Sequence, residues 1–146
     1  MKLQFKKLHP DAIIPRYATK GAACFDLHAI CVEGSVKIQH GVTVATFRTG
    51  LAVEIPEGYA MMIYSRSGHG FKHGVRLSNC VGVIDADYRG ELMVKLIQDE
   101  NGSFTVNRWD RIAQAMIVPA PQVQLIEADE LSDTERGTGG FGSTDA

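Results

Sequence analysis

The chain has 146 residues, a formal net charge of -2 and a sequence pI near 6.2. Its length suits one domain that buries roughly 70% of the surface exposed by the unfolded chain. The near-neutral charge argues against general binding to nucleic acid or anionic membranes, so any anion site must be local. No apolar run is long enough for a signal peptide or a membrane span, and we expect a cytoplasmic protein, or one of the host-cell cytoplasm if its source is viral.

Short β-prone runs separated by turn signals recur along the chain. They cover residues 3–8, 24–32, 36–38, 42–47, 51–55, 59–64, 79–84, 91–98, 103–106, 112–118 and 123–127. No segment keeps a helical period, although one short helical turn after Arg66 fits the sequence. An all-β barrel or jelly-roll-like fold is therefore predicted for residues 1–130.

The three cysteines, Cys24, Cys31 and Cys80, have irregular spacing, no Cys-x-x-Cys pair and no histidine pattern beside them. Neither a disulfide framework nor a zinc site is predicted from them. Buried free thiols are the favoured interpretation.

Polar residues stand out in the first half of the chain. Asp26 interrupts the apolar run 24–27 and needs a partner, either an arginine or the waters around a hard cation. Arg66, Ser67 and Gly68 offer a guanidinium, a hydroxyl and an open amide in a row, which suits phosphate if the turn opens a helix. For so short a match, a surface arginine in a salt bridge is the more common case.

Residues 79–93, NCVGVIDADYRGELM, hold the most distinctive pattern. Two strand-like apolar runs flank a tip that carries Asp85, Asp87 and Tyr88. Turn chemistry accounts for Asp87 and Gly90, but it does not call for an aromatic ring and a second carboxylate. One interpretation is a ligand held at this tip, and the other is a solvated turn with Tyr88 lying across its own hairpin.

Later segments add further polar groups. Gln114 lies in an apolar run, where its amide could bind a phosphate oxygen or satisfy a neighbouring backbone group, and Arg111 suits an ion pair as well as a ligand. From residue 131 the strand signals stop, and residues 136–142 place four glycines among seven residues around Phe141. This composition is typical of a flexible terminus. The embedded ring and the open amides also suggest a lid that orders over a nucleotide.

Five segments, taken in order, resemble the five motifs of the trimeric deoxyuridine triphosphatase (dUTPase) family. They are GAACFDLHA at 21–29, SRSG at 65–68, NCVGVIDADYRGEL at 79–92, RIAQ at 111–114 and RGTGGFGST at 136–144. The resemblance implies a homotrimer of jelly-roll-like subunits with active sites where subunits meet. It also implies that the C-terminal tail, residues 131–146, closes the site as a lid.

The resemblance further implies roles for individual residues. Asp85 would be the general base that activates a water for attack on the α-phosphorus. Tyr88 would pack on the deoxyribose and exclude a 2′-hydroxyl. Asn79 and the main chain near Met93 would read uracil, and Phe141 would stack on it.

Contacts to phosphate and metal form a second implied set. The phosphate contacts would be Arg66, Ser67, Gly68, Gln114, Arg136, Ser143 and Thr144. Asp26 would orient waters on Mg²⁺. The sequence has no cluster of His or carboxylate ligands, which fits Mg²⁺ carried mainly by the triphosphate, because this ion keeps several waters.

Four residues depart from the family's motifs. Cys24 and Trp109 stand where glycine is usual, and Ser65 stands where proline commonly precedes the arginine. Asp145 stands where the tail usually continues with glycine. None of the four removes a chemical group from the implied mechanism.

The sequence therefore predicts a Mg²⁺-dependent enzyme that hydrolyses dUTP to dUMP and pyrophosphate. Asn79 favours uracil, because its amide offers a donor and an acceptor, whereas cytosine would leave groups unpaired. The related dCTP deaminase is the alternative enzyme, which Asn79 and the glycine-rich tail disfavour. A nucleotide-sensing regulatory trimer is the alternative outside enzymes, and no stable binding to nucleic acid or membrane is expected.

Overall fold

A computed structural model of the chain describes residues 1–30, 36–39, 45–99 and 102–140, with the backbone alone for 36–39. The elements in these ranges are β1 (Gln4–Lys7), β2 (Phe25–His28), β3 (Val36–Gln39), β4 (Ala45–Arg48), β5 (Leu51–Glu54), β6 (Tyr59–Tyr64), α1 (Ser67–His73), β7 (Val75–Leu77), β8 (Val81–Ile84), β9 (Met93–Gln98), β10 (Ser103–Val106) and β11 (Arg111–Pro119). The all-β prediction is confirmed. Within the same ranges, no helix is long and apolar enough to cross a bilayer.

The strands form antiparallel sheets around one apolar core. The largest sheet has the order β2-β11-β6-β8, and the others are β4-β9-β7, β1-β5 and β10-β3. Side chains alternate between core and surface, as in β4, where Ala45 and Phe47 are buried and their neighbours are exposed. Leu27, Met61 and Ile112 are fully buried in this core, so the largest sheet is fixed by packing on one face.

A row of direct cross-strand partners runs across the largest sheet. Asp26 pairs with Gln114, Gln114 pairs with Tyr64, and Tyr64 pairs with Val81. Directly opposed residues of antiparallel strands project from the same face. The sheet register therefore aligns three of the sequence segments that carry candidate functional residues, and Tyr64 directly precedes a fourth, residues 65–68.

The structure differs from the sequence prediction in two elements. The strand predicted at 123–127 is wrong for the single chain, where Val123, Leu125 and Ile126 are 71%, 90% and 74% exposed and pair with no strand of the described ranges. Strand β7 was missed, because a run of three residues is too short to show the alternation of apolar and polar side chains. The helical turn allowed after Arg66 is present as α1.

The thiols are more accessible than expected. Cys24 and Cys80 are free, but Cys24 is only half-buried and Cys80 is exposed, so the prediction of buried thiols is wrong for Cys80. Cys80 lies in the turn between β7 and β8 with φ 63°, where the chain reverses at the surface. Burial, together with the nearby Asp26 carboxylate, raises the pKa of Cys24. Cys31 lies outside the described residues.

Candidate active site

Asp26 lies between two guanidinium groups. Arg66 Nε donates to Asp26 Oδ1 at 3.0 Å, and Arg111 Nη1 donates to Oδ2 at 3.2 Å. The Asp26 side chain is 16% exposed, so a carboxylate in this position needs such partners. Arginine, one of the two kinds of partner that the sequence left open for Asp26, is therefore present.

Arg66 makes further contacts through Nη1. This nitrogen lies 3.0 Å from His69 Nε2 and 3.5 Å from the carbonyl oxygen of Arg111. Burial is the main cause that lowers the pKa of His69 to about 4, and the positive charge of Arg66 adds to it. His69 is therefore neutral near pH 7. Sequence reasoning missed this residue, since a lone histidine in the SRSGHG segment gives no signal of its neighbours.

Ser67 and Gly68 open helix α1 without a side-chain cap. The first amides bonded at this end belong to His69 and Gly70, which donate to the Arg66 carbonyl at 3.0 and 3.1 Å. The two preceding amides are therefore left to an outside acceptor, as expected for the first turn of a helix. A Cβ added at Gly68 would meet nothing within 4 Å, so packing does not require glycine there.

Gln114 and Ser65 satisfy backbone groups beside Arg66. Gln114 Nε2 donates to the Ser65 carbonyl at 2.9 Å, and Ser65 Oγ accepts from the Leu77 amide at 2.9 Å. Gln114 thus has the backbone contact that was one of its two possible roles, and one amide hydrogen remains for another acceptor. Proline at position 65 could not accept the Leu77 bond, so this departure from the family's motif has a structural use.

A cleft between β8 and β9 holds a second group of candidate residues. It measures about 430 Å³, within the usual range of small-molecule sites. Asn79, Gly82 and Met93 are among its lining residues. A Cβ at Gly82 would lie 3.2 Å from Ile63 Cβ, so glycine keeps β8 close to β6 at this point.

Asp85 follows the last residue of β8 and is exposed. Its main-chain oxygen accepts from the Tyr88 amide at 3.2 Å, while its carboxylate has no hydrogen bond or ion pair within the described residues. The Tyr88 hydroxyl donates to the Glu91 carbonyl at 3.0 Å, and a Cβ at Gly90 would overlap the Tyr88 ring. Tyr88 therefore lies across its own hairpin while Asp85 stays free.

Glu91 fixes the base of this loop, and the sequence analysis gave it no role. Its Oε1 accepts from the Gly50 amide at 2.7 Å, and its Oε2 accepts from Arg48 Nη2 at 2.8 Å. These contacts tie the loop before β9 to the turn between β4 and β5. The only signal for this role was the glutamate of the NCVGVIDADYRGEL segment itself.

The chain brings some of the candidate residues together and leaves others apart. Asp26, Arg66, Ser67, Gly68 and Gln114 form one group, the Arg66 group, whereas Asn79 and Met93 line the cleft, and Asp85 and Tyr88 lie in the loop between β8 and β9, the Asp85 loop. Among the described residues, no hydrogen bond or ion pair joins Asp85, Tyr88 or Met93 to the Arg66 group.

The tail joins neither the Arg66 group nor the Asp85 loop in the described part of the chain. Arg136 Nε donates to the Gly139 carbonyl at 3.0 Å, and Gly137 bonds back to Thr134, which makes a local turn. Phe141, Ser143, Thr144 and Asp145 lie outside the described residues. Because β11 ends at Pro119 and residues 121–138 are exposed, the division of the chain at residue 130 stays a prediction.

A family model described as dUTPase matches residues 10–145. The chain belongs to the dUTPase family. A deoxyuridine 5′-triphosphate nucleotidohydrolase of Nautilia profundicola is 53% identical over 144 residues, which are 99% of each protein. The nucleotidohydrolase of the same description from Hydrogenobaculum sp. is 48% identical over 144 residues, 99% of this chain and 98% of the relative.

Solved dUTPases share the fold of this dUTPase-family chain. The dUTPase of Staphylococcus bacteriophage 80alpha with dUPNHPP superimposes with a TM-score of 0.86 and 29% identity over 99% of each chain. A mutant dUTPase from phage phi11 of S. aureus superimposes with a TM-score of 0.78 and 26% identity over 91% of this chain and 100% of that one. That structure is described as revealing the coordination of a structural Mg(II) ion. The jelly-roll-like prediction is thereby confirmed together with the family.

Proposed function

We propose that this chain hydrolyses dUTP to dUMP and pyrophosphate, with Asp85 as the general base for a water that attacks the α-phosphorus. The observation that carries the proposal is the unpaired Asp85 carboxylate at one end of β8, the strand that also borders the Asn79 cleft. A carboxylate held by an ion pair would be a poor base, and this one has no such partner among the described residues. The phage 80alpha dUTPase, which has this fold, binds a dUTP analogue.

Asn79 and Tyr88 would select the nucleoside. The Asn79 amide can pair with the donor and acceptor edge of uracil, and the main chain near Met93 lines the same cleft. Tyr88 is held by its bond to the Glu91 carbonyl, so its ring presents a fixed surface to a sugar. A fixed ring discriminates against a 2′-hydroxyl by steric exclusion.

The Arg66 group would hold the phosphate chain. Arg66 supplies a guanidinium, Ser67 a hydroxyl and Gln114 one remaining amide hydrogen, in addition to the amides at the start of α1. Hydrolysis of a phosphoanhydride depends mainly on positioning and charge stabilisation, which these donors provide. Arg136, Ser143 and Thr144 of the tail would add donors, and Phe141 would stack on the base.

Asp26 suits Mg²⁺ only through water. Arg66 and Arg111 occupy one acceptor position on each carboxylate oxygen, which leaves lone pairs for waters but no bare carboxylate for direct coordination. No group of three His, Cys, Asp or Glu in the described ranges could hold a metal ion. The two guanidinium charges also oppose a lone cation, so the residues fit Mg²⁺ that arrives with the triphosphate. Bound in this way, Mg²⁺ would neutralise part of the phosphate charge.

We further propose a homotrimer in which each site forms between subunits. Within one chain, no hydrogen bond or ion pair among the described residues joins Asp85, Tyr88 or Met93 to the Arg66 group, yet all of them are needed to hold one nucleotide. Facing the Arg66 group of one subunit towards the Asp85 loop of another would complete the site. Residues 131–146 would then close it, and the exposed side chains of Val123 and Leu125 are available for subunit contacts.

The activity is tested by incubating the purified protein and Mg²⁺ with dUTP, UTP, dTTP and dCTP in separate reactions. We expect pyrophosphate from dUTP alone, and much less from the same reaction with the Asp85→Asn variant. Ammonia from dCTP would identify the related deaminase instead. Tight binding of dUTP with no turnover would favour the regulatory alternative.

A further inference from the structure

We propose that His69 is a positioning residue that orients the Arg66 guanidinium, so that one guanidinium nitrogen stays free for the phosphate chain. The identity of the ligand rests on the proposed function, whereas the orientation itself rests on contacts within the subunit. His69 does not touch the reacting atoms and would act through Arg66.

The three guanidinium nitrogens of Arg66 differ in their partners. Nε is bonded to Asp26 at 3.0 Å, and Nη1 lies 3.0 Å from His69 Nε2. Nη2 has no partner in the described part of the chain. Two anchors on a planar group fix both its plane and its rotation, which leaves the two N–H donors of Nη2 pointing in a defined direction.

Without His69, the anchor on Nη1 would be weak. The other contact of Nη1, the carbonyl oxygen of Arg111, is 3.5 Å away, at the long limit of a hydrogen bond. Arg66 would then be held through Nε alone and could turn about that bond. A turned guanidinium makes fewer contacts with a phosphate and loses more side-chain entropy on binding.

The chemistry of the two side chains fixes the role of each atom. A guanidinium only donates, so His69 Nε2 must accept and the ring proton must be on Nδ1. Nδ1 is buried and has no partner among the described residues. This unsatisfied donor costs free energy that leucine of similar size would not cost, and packing alone therefore does not explain a histidine at this position.

The ring of His69 is itself held in place. It packs on Phe104 of β10 with the ring centroids 4.8 Å apart, and its backbone amide donates to the Arg66 carbonyl. His73, one turn later on α1, also packs on Phe104, at 5.1 Å, but no hydrogen bond joins it to Arg66 in the described part of the chain. His73 is therefore a matched control for a histidine that packs on Phe104 without holding the arginine.

The test is a double-mutant cycle on kcat/KM for dUTP with the full-length protein. His69→Leu should lower kcat/KM by roughly 5- to 20-fold, mostly through KM, because a held arginine binds phosphate before and during the reaction. In an Arg66→Lys background the same change should have less than about a 2-fold effect. His73→Leu should stay within about 2-fold of the wild type.

Conservative variants distinguish the loss of the hydrogen-bond acceptor at residue 69 from the loss of its packing on Phe104. His69→Gln places an amide oxygen near the position of Nε2 and should keep activity within about 3-fold, whereas His69→Asn is too short and should behave as His69→Leu. Melting curves check that each variant folds. If His69→Leu does not fold, the comparison of His69→Gln with His69→Asn takes its place. An equal loss from His69→Leu in both backgrounds, or equal losses for Gln and Asn, would overturn the proposal.

A failure of the proposed function can be distinguished from a failure of the positioning role of His69. If the wild type does not hydrolyse dUTP, the same cycle is measured on the affinity for inorganic tripolyphosphate by calorimetry. Coupling between His69 and Arg66 in that affinity would support the positioning role. Additive effects of the two changes, or no binding of tripolyphosphate to the wild type, would contradict it.

Discussion

The charged side chains Asp26, Arg66 and Arg111 are paired with one another within the chain, whereas the Asp85 carboxylate in the loop between β8 and β9 has no such partner in the described residues. Arg66, Asp26 and Arg111 form a connected set of charges at hydrogen-bond distance. Asp85 is exposed and unpaired in the described residues, although Glu91 holds the base of its loop firmly. Paired groups give a site its shape, and a free carboxylate on a fixed loop can serve as a base. Changes in the two regions should therefore have different consequences for folding and for turnover.

The largest effect is expected for Asp85→Asn. The variant keeps the shape of the side chain but loses its basicity, so hydrolysis of dUTP should fall by roughly 10²- to 10⁴-fold with little change in affinity. The melting temperature should not change, because no contact is lost. Asp87→Asn in the same loop is the matched control and should keep most of the activity. Normal turnover in Asp85→Asn would assign the base elsewhere.

Removal of the tail should separate activity from stability in the same way. A chain that ends at Glu135 loses residues whose described contacts are local, such as the Arg136 bond to Gly139, so its melting temperature should stay within a degree or so. Hydrolysis should fall by roughly 10²-fold or more, since an arginine, a stacking ring and the barrier to water are lost together. Phe141→Ala should lose less, because one stacking contact contributes about 1–3 kcal/mol. Full activity of the truncated protein would refute the lid.

The pH dependence of stability should come largely from His69, which lies beside Arg66. Burial lowers the pKa of His69 to about 4, while a histidine in the unfolded chain has a pKa near 6.5. Between these values the unfolded state binds a proton that the folded state does not, so stability falls as the pH decreases from about 6.5 towards 4. The other charges acting on His69 are Arg66, His73 and Arg111, which lower its pKa further, and Asp110, which opposes them.

The measurement is the melting temperature at pH 7 and pH 5. The melting temperature of the wild type should fall more from pH 7 to pH 5 than that of His69→Leu. The variant should keep a smaller dependence on pH, because burial also lowers the pKa of His28. Identical losses in the two proteins would mean that His69 titrates normally.

The smallest effect is expected at Trp109, where the backbone has φ 68°. A side chain with a Cβ is strained in this left-handed region, and glycine is not. Trp109→Gly should therefore be more stable than Trp109→Ala by about 1 kcal/mol, or about 2–4 °C in melting temperature. Both variants lose the contact between Arg108 and the Trp109 ring, so the comparison isolates the backbone. Equal melting temperatures would show that the strain is relieved elsewhere.

The sequence predicted most of the fold but only part of the site's geometry. Alternating apolar residues identified most strands, because burial on one face leaves a period of two in the sequence. The strand at 123–127 was wrong since a pattern cannot show whether a partner strand exists. The motifs identified Arg66 and Asp26, but their bond and the anchor from His69 depend on tertiary distances that no local pattern reports.

We propose that the paired Arg66 group of one subunit and the free Asp85 carboxylate of another meet in one active site. This arrangement is tested most directly by mixing Asp85→Asn with Arg66→Gln, allowing subunits to exchange, and measuring dUTP hydrolysis. Sites built from two subunits would include some with both residues intact, so random mixing of trimers should give about one quarter of the wild-type activity. If the mixture stays at the average of the two variants despite demonstrated exchange, both residues act within one subunit and the claim is contradicted.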